Sequence, residues 1–129
     1  MVAGFGTFPS NRIALVRDDG ALDLYHGGMR ALDPNGTPIF DRLPYTDYHK
    51  VLVEDVCSRS YMKFPFIKSL GPEVGWYRVG PLARVNVATH IDTPLANAAH
   101  TALRTFSGGL NHSTLANHWA RLIEVVHCV

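Results

Sequence analysis

The chain has 129 residues, a net charge of +1, 47% apolar residues and 18% charged residues. That is enough for one domain with a modest core, and too apolar for a disordered chain. The near-neutral balance, with Lys only at 50, 63 and 68 and no basic block, gives no steering toward nucleic acid or an anionic membrane.

Residues 1–10 are rich in Gly and Phe, and the segment reads as a loop. It lacks the basic and long apolar regions of a secretory signal, and no apolar run in the chain approaches a membrane span. Two separate cysteines, Cys57 and Cys128, fit a reduced compartment or a chance pair better than a disulfide framework. A cytoplasmic location is the expectation. Residues 11–41 alternate short apolar runs with Asp19-Gly20, Gly27-Gly28 and Asn35-Gly36. These are hairpin signals, so the segment is expected to be an antiparallel β-meander of three or four strands, one of them Ala21–His26, with type I′ turns. Ile13, Leu15, Leu22 and Leu24 face one way, while Val16 and Tyr25 break the alternation.

Thr46 can cap a helix over 46–57, with Val51, Leu52 and Val56 as its stripe. The stretch 60–86 then holds five of the thirteen aromatics (Tyr61, Phe64, Phe66, Trp76 and Tyr77), interleaved with Lys63, Lys68, Arg78 and Arg84. Three Pro and three Gly punctuate it, so a specified loop pinned by large rings is expected. Gly80-Pro81 opens a helical turn there, because Pro is tolerated at a first helical position. Arg84 should project near the aromatics, where it either packs its stem on a ring and pairs with a carboxylate such as Asp92 or Glu73, or serves as a binding residue. Two helices fill 93–129. The first starts at Thr93-Pro94, shows Leu95, Ala98, Ala99, Ala102, Leu103 and Phe106 on one face, and stops at Gly108-Gly109. The second starts near Ser113 and carries Leu115, Trp119, Leu122, Ile123 and Val126. Its stripe reaches the last residue without a stop signal, which suggests a partial domain with apolar surface awaiting a partner.

Chemistry-bearing constellations are sparse. The seven histidines (26, 49, 90, 100, 112, 118 and 127) do not show metal-ligand spacing, so no metal residue is expected among them. There is no nucleophile elbow, phosphate loop or dinucleotide turn, hence no expected catalytic or cofactor-binding residue. The carboxylates Asp18-Asp19 and Glu54-Asp55 suit turns or solvated faces. An aromatic surface for stacking bases lacks the accompanying charge and motif.

The segments YMKFPF, GWYRVGPLARVN, DTPLANAA and LANHWARLIEVVH resemble the central part of nickel–iron hydrogenase large (alpha) subunits. The NAD-reducing bidirectional branch is the nearest in likeness, and the likeness covers most of Gly20–His127. The resemblance implies an α+β fragment of a mainly helical fold. It also implies a parent that oxidises hydrogen reversibly at a nickel–iron centre held on two Cys-x-x-Cys motifs. Electrons would pass through a small subunit, then through diaphorase subunits, to NAD. Neither Cys-x-x-Cys motif is present, so the chain alone is expected to be an inactive scaffold without its own cofactor. Arg84, Gly80 and Pro81 are the candidates for a structural role around the centre. The partners implied are the remainder of the large polypeptide, the diaphorase and the small subunit, with no nucleic acid and no membrane. The alternatives are a stand-alone ligand-binding module in the aromatic loop or a small metal protein built on the histidines.

Overall fold

The computed structural model describes residues 6–129; the first half of the expected 1–10 loop lies outside the described residues. Strand β1 (Asn11–Val16) is central. It pairs antiparallel with β2 (Gly28–Leu32), from Arg12 opposite Leu32 to Val16 opposite Gly28. β2 pairs with β3 (Pro38–Leu43) across a turn closed by the Asp33 carboxylate, which accepts the amides of Asn35 and Thr37. The turn glycines Gly20 and Gly36 take positive φ, but Asp19 and Asn35 do not, so these turns are not type I′. Ala21–His26 makes isolated bridges only, from Leu22 to Val16 and from Ala21 to His90. The expected fourth strand is corrected: the Asp23 carboxylate binds the amides of Tyr25 and His26 and curls the chain locally.

The expected helix over 46–57 is also corrected. Only Tyr48–Val51 (α1), preceded by a 3-10 turn at Tyr45–Asp47, is helical. Leu52–Val56 (β4) is a strand, and it pairs with Lys63–Ile67 (β5) in a two-stranded hairpin, Leu52 opposite Ile67 and Val56 opposite Lys63. LVEDV carries two β-branched valines, and its partner supplies the backbone bonds that a single turn of helix could not. The aromatic stretch is therefore partly strand rather than a loop throughout. Pro65 is tolerated because a two-stranded ribbon always leaves an edge. Further on, Tyr77–Arg78 (β6) joins β1 in parallel and completes a mixed sheet of order β3-β2-β1-β6.

Three helices follow: α2 (Pro81–Val87), α3 (Pro94–Ser107) and α4 (Ala116–Cys128). The fold class is α+β, but with two sheets ahead of these helices it is not the mainly helical fold expected. β1 is covered on both faces, which explains its broken alternation. Ile13 packs with Ala31 and Ile67 of the hairpin side, while Ala14 and Val16 pack with Val87 of α2. Behind α2 lies the larger core, where Leu82 and Val85 meet Ala96 and Leu103 of α3 and Ala116, Ala120 and Ile123 of α4.

The helices are rotated from the expected orientation. α3 buries Ala96, His100 and Leu103, leaving Leu95 77% and Phe106 66% exposed. α4 likewise buries alanines and Ile123, while Leu122 and Val126 face outward. Small residues at Ala96, Ala116 and Ala120 let α3 and α4 close on the short α2, and bulkier side chains would hold them away.

Ile67→Ala should lower unfolding free energy by about 2–5 kcal/mol, because it opens a cavity between hairpin and sheet. Leu95→Ala should change it by less than about 0.5 kcal/mol. Urea unfolding of both variants checks this; equal losses would mean that α3 presents its other face to the core.

Candidate functional site

The residues expected to matter are gathered at the start of α2. Gly80 precedes the helix with φ 92 and ψ −172, a conformation that side-chain-bearing residues rarely adopt. Pro81 occupies the first turn, and the Gly80 carbonyl accepts the Arg84 amide at 3.0 Å. Arg84 does not pair with Asp92 or Glu73. It makes a two-point contact with Glu124 on α4, Nε to Oε1 at 2.5 Å and Nη2 to Oε2 at 2.7 Å. Its positive charge is stabilised by that carboxylate, against the opposing effect of burial. The pair ties the first turn of α2 to α4, forty residues away in sequence. Asp92 instead pairs with Arg17.

The aromatics do not converge into one pocket. Tyr61 is fully exposed beside the hairpin and Tyr77 is half-buried against the sheet. Trp76 pairs with Phe8, which in turn lies under the Arg78 guanidinium, 3.5 Å from its ring centroid. Arg78 and Arg12 are brought together by the β1–β6 register. His112 sits against both: Arg12 Nη2 donates to its Nδ1 at 2.6 Å and Arg78 Nη1 donates to its carbonyl at 3.2 Å. The arrangement puts Nδ1 of His112 in the acceptor role and the proton on Nε2. Burial, then the charges of Arg12 and Arg78, depress the His112 pKa. His100 is depressed too, chiefly by burial; its Nε2 donates to the Val85 carbonyl at 2.7 Å.

His112 also borders a cleft of about 750 Å³ between the β2–β3 end of the sheet and the α2–α3 side. Its polar walls are Arg30, Asp41, Asn86, Thr89 and Arg104. Most are already engaged: Arg30 with Asp41, Asn86 with the Asn111 backbone, Arg104 with the Ala88 carbonyl. The cleft offers orientation and charge, with no paired nucleophile and base.

Sequence spacing missed one cluster. Asp19, His90 and Asp92 bring ligand atoms within 4.8 Å of one another, with His90 Nε2 3.7 Å from each carboxylate. Turns at 17–20 and 89–92 meet because the Gly20 carbonyl accepts both the amide and the hydroxyl of Thr89, a contact invisible to local spacing. The cluster is solvent-facing and contains no sulfur. Cys57 is half-buried and Cys128 exposed, each free. The donors among the described residues therefore do not fit a centre held on four thiolates.

No family model matches the sequence. Similar proteins are known, however. The chain is 42% identical over 127 residues, 98% of its length, to the NAD-reducing hydrogenase HoxS subunit beta of Cupriavidus necator. It is 38% identical over 130 residues, 99% of its length, to an F420-non-reducing hydrogenase subunit of Methanothermobacter marburgensis. It spans 26% and 27% of those two proteins, about a quarter of their length. A crystal structure of an NAD+-reducing NiFe-hydrogenase in the H2-reduced state superposes with a TM-score of 0.90 at 46% identity, covering 96% of this chain and 28% of that one. The first of these relatives is a beta subunit, and a further one, from Archaeoglobus profundus, is an iron-sulfur subunit of an F420-non-reducing hydrogenase. The expected assignment to a nickel–iron large (alpha) subunit, and the function built on it, are corrected accordingly. The central motifs carry a hydrogenase likeness but no ligand cysteines, so they could not identify the subunit.

Glu124→Ala should lower stability by about 1.5–3 kcal/mol through loss of charged hydrogen bonds, with a much smaller added effect of Arg84→Ala in the double variant. Denaturant titration of the four-member cycle checks the coupling. Both histidines have folded pKa values below 6.5, so the unfolded state binds more protons as the pH drops. Stability should be full above pH 6.5 and decline below it. A melting-temperature series should show a weaker acid slope in His112→Asn; an unchanged slope would assign the effect to other groups. Over nearly all its length, the chain is similar to one quarter-length segment of hydrogenase subunits.

Proposed function

We propose that the chain corresponds to one structural segment of a hydrogenase subunit of the NAD-reducing kind, working in a cytoplasmic complex with other hydrogenase subunits. The near-complete alignment to HoxS subunit beta, together with the 0.90 TM-score, carries this reading. Its work is positional. α2 is held between sheet and helices, the Arg84–Glu124 pair fixes its first turn, and Gly80 supplies the backbone turn that delivers the chain into it. The two separate free cysteines, Cys57 half-buried and Cys128 exposed, support leaving any thiolate-held centre to other polypeptide.

The outward apolar residues support a segment built to be covered. Leu95 and Phe106 on α3, with Leu122 and Val126 on α4, are all more than two-fifths exposed, and Phe106 touches Trp119 across the two helices. Such a surface is common where further polypeptide packs. Among the described residues, no helix is long and apolar enough to cross a membrane.

A segment exchange tests the reading. The matching quarter of the Cupriavidus necator HoxS subunit beta would be replaced by residues 6–129 of this chain, and hydrogen-dependent NAD reduction measured in the purified complex. Activity within about tenfold of the parent is expected, and a folded but unassembled exchange protein would sink the proposal.

A further inference from the structure

One arrangement in the sheet is unexplained by a purely structural segment. Ser10 and Arg12 are two residues apart on an extended run, so they project to the same face. The parallel register places Arg78 beside Arg12 on that face. Arg12 is only 1% exposed. Arg12 Nη1, Arg78 Nη2 and Ser10 Oγ are all buried and have no hydrogen-bond partner among the described residues. Among the described residues, neither guanidinium makes an ion pair with a carboxylate; Arg12 Nη2 and Arg78 Nη1 are the nitrogens that reach His112.

A buried cation beside a half-buried one, each with a buried spare donor, is unfavourable unless an anion is supplied. We propose that Ser10, Arg12 and Arg78 form a receptor for a single oxyanion, a carboxylate or phosphate group. Arg12 Nη1 and Arg78 Nη2 donate to its oxygens, and the Ser10 hydroxyl adds a third bond. A guanidinium presents planar paired donors, which suit such a group. Burial and then the neighbouring Arg78 lower the Arg12 pKa to about 10, the charge of Asp33 offsetting only part of this, so Arg12 is charged at neutral pH and a bound anion would add to the compensation. Phe8 lies against the Arg78 guanidinium and is 44% exposed, so an anion arriving on that side would have to displace its ring.

The oxyanion has two possible sources, and the test separates them. In the first arm, thermal unfolding of the chain is followed at constant ionic strength and pH 7.5 in sodium phosphate against sodium chloride. A saturable phosphate-specific rise, lost in Arg78→Gln and partly kept in Arg78→Lys, assigns a free anion. The second arm rests on the proposed function and uses the exchanged HoxS subunit beta. If phosphate has no effect but Arg78→Gln cuts co-purification with the partner subunits at least tenfold, while Arg78→Lys retains it, the anion is a carboxylate from neighbouring polypeptide. No phosphate response together with no loss specific to Arg78→Gln means that ordered water alone fills the space, and overturns the proposal. Failure of the unsubstituted exchange protein would count against the hydrogenase reading and leave the phosphate arm intact.

Discussion

The structure depends on the burial of α2. Five of its seven residues, Leu82, Ala83, Val85, Asn86 and Val87, are buried, although so short a helix has little stability alone. It persists because it is enclosed, with the sheet on one side and α3 and α4 on the other. β1, α3 and α4 are the elements that make that enclosure. β1 presents Ala14 and Val16 to it, and the alanines of α3 and α4 let those helices approach.

Enclosure brings polar backbone and side chains into the interior, and each needs a partner. Asn86 exchanges hydrogen bonds with the backbone of Asn111, tying the helix to the loop that leads into α4. His100 and Arg104 of α3 reach back to the carbonyls of Val85 and Ala88. Arg84 completes the set with Glu124. These contacts link segments far apart in sequence, so the surroundings of α2 form one cooperative unit. The unpartnered donors of Arg12, Arg78 and Ser10 stand out against this otherwise satisfied interior.

The same organisation gives the chain its outward character. Small residues are spent on the inside, so the large ones on α3 and α4 are turned out. The hairpin similarly leaves Tyr61, Met62 and Phe64 toward solvent. A scaffold segment of a larger hydrogenase subunit would use these faces for packing, which connects the local economy of space around α2 with the proposed role.

Local features were legible in the residues themselves. Thr93-Pro94 before α3, Gly108 after it and Gly80-Pro81 before α2 mark helix boundaries, because Pro and positive-φ Gly restrict the backbone where they stand. The motifs around GPLAR likewise carried the hydrogenase likeness, though not which subunit. Tertiary structure decided what depends on distant partners. It made a strand of Leu52–Val56 because Lys63–Ile67 could pair with it, turned α3 so that Ala96 and His100 faced inward, and gave Arg84 its carboxylate on α4. It also assembled Arg12 with Arg78, and Asp19 with His90, from segments about seventy residues apart. Spacing along the chain reports backbone preference; it carries no record of which face a neighbour will need, because that is set by the space left once the layers close.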